Sequence, residues 1–211
     1  NFNYLEILTH IGHSEKVLFM RVFIAVLILI FSLQFIAKAD DISEFQIEGM
    51  SIGDSLLDYM NKKEIKKIKS KNKKIKIVRT YKKNNLKIYD RVQIWWFDDD
   101  KDYKIIGLSG LLFFENDLKG CKKKQNEIAE SLKVYFSNIQ ISKKETINTH
   151  DITRKSKTYH YIFKFSNGDN VNVQCYRYSK EVKIKYPSTK DHLKVMMVKK
   201  KMRDHFSAAK N

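Results

Sequence analysis

The stretch from Val22 to Ala37, VFIAVLILIFSLQFIA, is almost unbroken in its apolarity and is followed at once by Ala37-Lys38-Ala39 and an ordinary polar sequence. Met20-Arg21 places a start and a positive charge before it, and the small residues Ala37 and Ala39 stand where a signal peptidase requires them. The run therefore reads as an export signal, with cleavage expected before Asp40. A membrane anchor is the alternative. A spanning helix needs about twenty apolar residues, whereas this run is shorter and is interrupted by Ser32 and Gln34. If residues 1–19 are translated, Val17, Leu18 and Phe19 extend the apolar segment toward an uncleaved, single-pass inner-membrane anchor.

Removing residues 1–39 from the 211 leaves 172, enough for one domain with its own core at 40–211. The full chain carries +17; the removed part holds Lys16, Arg21 and Lys38 against Glu6 and Glu15, so the remainder keeps +16. A balance this basic suggests an acidic partner such as nucleic acid, anionic lipid or an acidic polymer. AT-rich codon usage, which also yields the Asn and Ile and the single Pro187, is the stronger explanation of the lysines; the partner expected is an unidentified protein or acidic polymer. Specific nucleic-acid reading is not expected. Only six of the 41 basic residues are Arg (Arg21, Arg79, Arg91, Arg154, Arg177, Arg203), and Lys does not copy the bidentate guanidinium fork that reads bases.

Periodicity predicts an α+β domain. Asn61-Lys62-Lys63-Glu64 has the form of a capping box, opening a helix that follows a shorter one capped by Asp54 or Ser55. From Ile75 the period becomes two: Val92, Ile94 and Trp96 alternate with Gln93, Trp95 and Phe97, and a third strand lies between Tyr103 and Phe114. These three strands form an antiparallel meander. A helix from about Cys121 to Phe136 carries Cys121, Gln125, Ile128, Leu132 and Tyr135 along one stripe. After a polar interval from Ser137 to Lys157 come a hairpin turned at Asn167-Gly168, a last strand around Leu193 to Met197 and a terminal basic helix. The order is helix pair, three strands, helix, three strands, helix, which would allow two related halves.

The phrase IEGMSIGDSLLDYM, through Gly49, Ile52, Gly53 and Leu56, resembles the opening of β-lactamase-inhibitor-protein-like domains, a group that includes small outer-membrane assembly lipoproteins. That resemblance implies a helical pair leading into an antiparallel sheet, and this chain departs from the lipoproteins in having no lipid-bearing cysteine. The layout as a whole is similar to small exported proteins from AT-rich marine bacteria. Neither likeness implies a reaction.

Both cysteines of the mature part fall on faces expected to meet, Cys121 on the helix stripe and Cys175 in phase with Val171 and Val173, so an oxidising compartment would join them. Two buried free thiols are the alternative. Chemistry beyond this is sparse. Asp98, Asp100 and Asp102 have the spacing with which calcium loops begin, but Tyr103 stands where the loop needs glycine and Ser109 where it needs glutamate. A solvated turn is expected there, with no metal and no cofactor. His150, His160, His192 and His205 lack metal-ligand spacing, and adjacent pairs such as His150-Asp151 point to opposite faces of a strand. No catalytic residue is identified. Trp95 and Phe97, on the strand face opposite Trp96, together with Tyr103 are the candidate contact surface. The expected function is that of an exported, disulfide-linked binding domain, periplasmic or secreted. The alternative is a periplasmic hydrolase with a composite site around His150, His160 or the acidic turn.

Overall fold

A computed structural model describes residues 41–68, 74–81, 86–136, 138–149 and 151–208, all within one structural unit, Lys38–Asn211. The export segment, its cleavage residues Ala37 and Ala39, and His150 lie outside the described residues. The architecture is α+β. Seven antiparallel strands form one sheet in the order β1-β2-β3-β7-β6-β5-β4. The strands are β1 (Ile75–Tyr81), β2 (Arg91–Phe97), β3 (Gly107–Phe113), β4 (Gln140–Ile147), β5 (Lys157–Lys164), β6 (Asn170–Arg177) and β7 (His192–Val198). The helices are α1 (Lys62–Lys67), α2 (Leu118–Tyr135), α3 (Lys180–Lys185) and α4 (Lys200–Ala208). The two runs of strands therefore join as one sheet, because β7 lies between β3 and β6 and pairs with both.

Alternation in the strands settles which face is covered. Val92, Ile94 and Trp96 of β2, Leu108 of β3, Leu193, Val195 and Met197 of β7 and Val171, Val173 and Cys175 of β6 all point to one side, where they form the main core. Two elements cover that side. Residues 42–60 supply Ile42, Ile47, Met50, Ile52 and Leu56, all buried, and α2 supplies Cys121, Gln125, Ala129 and Leu132. Asp117 caps α2 by accepting from the Gly120 amide at 2.7 Å. The predicted stripe is shifted at its end: Ala129 is buried and Ile128 only half-buried, and Tyr135 turns outward to donate its hydroxyl to the Glu44 carbonyl. Phe136 takes the inward place, edge-on to Phe165 at 4.8 Å.

A disulfide joins Cys121 to Cys175, pinning α2 to β6. Four residues along the same stripe, the Gln125 side-chain amide donates to the carbonyls of Tyr159 and Val173 at 2.7 and 2.8 Å, so the helix is held polar as well as covalent. The predicted capping box is formed by Asn61 and Glu64, while Ser55 caps a 3-10 turn at Leu56–Asp58 in place of the first expected α-helix. Glu48 then ties the amino-terminal segment to the approach to β2. Its carboxylate accepts from the amides of Lys87, Ile88 and Tyr89 at 2.7 to 2.8 Å.

Two elements depart from the sequence expectation. The polar interval contains β4, an edge strand exposed on both faces along most of its length, which therefore carries no apolar alternation. Helix α3 was also unforeseen; it has no buried residue and hangs on the Ser179 cap.

Candidate binding cleft on the open sheet face

Among the described residues, the helix that packs on the opposite face of the sheet does so at one end. There α4 lays Met202 against Trp95, Ile75, Ile106 and Val198, forming a second, smaller apolar cluster. Residues of β1, β2, β3, β7 and β6 on this face line an open cleft of about 590 Å³. That volume lies within the usual range for small-molecule sites.

Every second residue of the flanking strands contributes. Arg79 comes from β1, Arg91, Gln93 and Trp95 from β2, Leu111 and Phe113 from β3, His192 and Lys194 from β7, Tyr176 from β6 and Tyr178 from just beyond its end. Rings and cations are interleaved. The Lys194 ammonium lies 5.1 Å from the Trp95 ring centre, the Arg91 guanidinium 5.2 Å from that of Phe113, and His192 stacks on Tyr176 at 4.6 Å. Such cation–π contacts hold the charges in place and leave their other sides open.

The charge balance is one-sided. Lys190 at the rim is ion-paired with Glu115. Among the described residues, Arg79, Arg91 and Lys194 have no carboxylate and no hydrogen-bond acceptor of their own. Asp191, the nearest buried carboxylate in sequence, already accepts from the Tyr178 amide and from Lys183, each at 2.8 Å. Burial, reinforced by the Arg79 charge, pushes the Lys194 ammonium down to about 8. Burial likewise pushes His192 down to about 4, and its Nδ1–H donates to the Lys190 carbonyl at 2.8 Å, which leaves Nε2 as the open acceptor of a neutral ring. Tyr178 is raised to about 12 by burial and by the Asp191 charge. At neutral pH the cleft therefore presents cations, hydrogen-bond donors and ring faces.

A second concavity beside α3, of about 410 Å³, is also lined by basic residues, and three of its five cations are paired. Its Lys155 pairs with Glu181, Lys157 with Glu145 and Lys183 with Asp191, at 2.8 to 2.9 Å. These three are paired, whereas Arg177 and Lys180 of the same concavity have no ion pair among the described residues; in the sheet cleft Arg79, Arg91 and Lys194 all lack one.

The residues singled out in the sequence fall in different places. Trp95 and Phe97 share the open face, as the alternation requires, but α4 covers them: Trp95 is 7 % exposed, and Phe97 sits between Lys201 and His205. Tyr103 packs against the main core on the other side, so the three do not make one surface. In the acidic turn Asp100 spends both oxygens on the amides of Asp102 and Lys104, and Asp98 pairs with Lys76 at 3.3 Å. No group of three or more potential ligands that could hold a metal occurs among the described residues. His160 lies in a side-chain chain: the Tyr176 hydroxyl donates to Gln174, the Gln174 amide to His160 Nδ1 at 2.9 Å, and His160 Nε2 meets the Thr146 hydroxyl at 2.7 Å. This chain brings His160 no carboxylate. Arg79, Arg91, Lys194, Tyr176, Tyr178 and His192 were not identified from the sequence, where nothing in the spacing of these residues brings them together. The chain matches no family model, and no curated protein or solved structure matches it significantly.

Proposed function

We propose that this protein is an exported, disulfide-braced binding domain that holds an anionic partner, such as an acidic polymer, in the cleft on its open sheet face. The observation that carries this reading is the set of Arg79, Arg91 and Lys194, three cations turned into one cleft beside aromatic rings with no carboxylate among the described residues to neutralise them. A bound anion relieves their mutual repulsion and accepts charge-assisted hydrogen bonds from two guanidinium forks. The rings of Phe113 and Tyr176 line the cleft beside these charges and favour a ligand with a flat or ring-shaped portion next to its charge. Export is supported by the leader at 22–37 and by the Cys121–Cys175 disulfide, which oxidising compartments preserve. Among the described residues no helix is long and apolar enough to cross a membrane.

Titration with dextran sulfate against uncharged dextran, followed by tryptophan fluorescence, tests the binding. A saturable change is expected with the sulfated polymer only. Charge-assisted hydrogen bonds contribute about 1.5–3 kcal/mol each, so Arg79→Gln with Arg91→Gln should weaken binding at least tenfold. Equal affinity of the wild type and this variant would set the reading aside, because the many surface lysines would then account for the attraction. The export claim is tested by N-terminal sequencing of the product from its host, which should begin at Asp40.

A further inference from the structure

We propose that Lys194 is a nucleophile, forming a reversible imine with a small aldehyde or keto acid whose carboxylate or phosphate is held by Arg79 and Arg91. The inference rests on the anion-binding reading above and goes beyond it by making part of the ligand covalent.

Position argues first. Strand β7 is the centre of the sheet, with three strands on either side, and Lys194 pairs across it with Leu111 of β3 and Gln174 of β6. Its side chain therefore rises from the floor of the cleft, whereas most of the described lysines lie on edge strands and helices. The stem is packed, and the amine stands against the Trp95 ring at 5.1 Å. It has no ion-pair or hydrogen-bond partner among the described residues, unlike Lys183, Lys190 and Lys199, each of which meets a carboxylate.

Reactivity follows from the surroundings. An imine-forming lysine needs a free lone pair, which burial and a neighbouring cation supply. With the ammonium brought down to about 8, roughly half of Lys194 is neutral amine at pH 8, against well under one in a hundred for an ordinary surface lysine. The neighbouring guanidinium groups perform a second task. By binding the anionic end of a carbonyl compound they hold its carbonyl carbon near the amine, so that the addition is effectively intramolecular.

The chemistry balances without an oxidant or reductant. Lys194, having lost its proton to solvent, donates the Nζ lone pair to the carbonyl carbon, the carbonyl π electrons move to oxygen, and one of the two nitrogen protons passes to that oxygen by way of solvent. The carbinolamine hydroxyl takes a proton from solvent and leaves as water, the nitrogen lone pair forms the C=N bond, and nitrogen returns its remaining proton to solvent. Hydrolysis reverses each step.

Incubating the oxidised full-length protein with pyridoxal 5′-phosphate, reducing with sodium borohydride and mapping peptides by mass spectrometry tests this directly. Borohydride delivers hydride to the imine carbon and fixes it as a secondary amine. At pH 7.5 the reduced adduct should occupy Lys194 at least about tenfold above the average for surface lysines. Labelling spread evenly over surface lysines, with Lys194 no higher, would overturn the proposal. Pyridoxal without its phosphate should label Lys194 several-fold less, and Arg79→Gln with Arg91→Gln should remove that difference between the two aldehydes. A preference for the phosphorylated aldehyde that survives in the variant would overturn the assigned role of the arginines. Arginine-dependent binding of dextran sulfate with no labelling of Lys194 would defeat the imine and leave anion binding standing; loss of both would defeat the two together.

Discussion

Replacing both Cys121 and Cys175 with alanine should lower the unfolding free energy by about 4 kcal/mol. The cross-link spans 54 residues of sequence, and closing a loop of that length in the unfolded chain removes roughly 14 cal/mol/K of entropy, or about 4 kcal/mol at 25 °C. Alanine also deletes two sulfur atoms from nearly inaccessible positions, 2 % and 0 % exposed, which adds to the loss. The fold should survive, because Gln125 keeps its two carbonyl partners and Ala129 and Leu132 keep their core contacts. The assay is guanidinium unfolding of the oxidised wild type, the wild type with a reductant and the double variant. With a slope of about 4 kcal/mol/M, the midpoint should fall by about 1 M in both perturbed samples. Coincident midpoints for all three would refute the reasoning, since the cross-link would then not restrict the unfolded chain.

Three other outcomes follow from the same contacts. His192, held near 4 by burial, binds a proton more readily when unfolded, so stability should fall by up to about 3 kcal/mol as pH drops from about 6.5 to 4; His192→Phe, which keeps a ring against Tyr176, should flatten this limb in pH-dependent urea unfolding. Lys194, held near 8, has the same sign in another window: stability should rise between pH 8 and about 10 as the buried amine loses its charge, and Lys194→Met should abolish the rise in the same assay. A side chain at position 110 would run into the Tyr89 ring, so Gly110→Ala should cost about 1–3 kcal/mol, readable as a lower thermal midpoint with an unchanged far-UV spectrum.

Much of the fold was legible because local pattern and burial agreed. Val92, Ile94 and Trp96 are apolar in alternation because one face of β2 is core, and Asn167-Gly168 marks the hairpin because Gly168 adopts a φ of 86°. Cys121 and Cys175 were placed correctly from the stripe and the strand phase. Strand β4 was hidden because an edge strand exposed on both faces has no hydrophobic period to read, and α3 because six residues with none buried leave no stripe. The insertion of β7 between β3 and β6 is non-local, so no short stretch of sequence encodes it. The cleft was illegible for a related reason. Arg79, Arg91, Gln93, Lys194 and Tyr176 occupy the alternate polar positions that a plain solvated sheet face would show, and only the pairing of β3 with β7 brings them to one place. Trp95 and Phe97 do share the face opposite Trp96, while α4, invisible in the alternation, packs over them.

The central claim is that negative charge binds in this one cleft. A titration of the isotopically labelled protein with inorganic pyrophosphate, followed by amide and side-chain NMR shifts, measures it most directly. The account predicts saturable shifts concentrated at Arg79, Arg91, Gln93 and Lys194 and at the Trp95 indole. Shifts centred on the lysines around α3, or scattered over the basic surface without saturation, would contradict it.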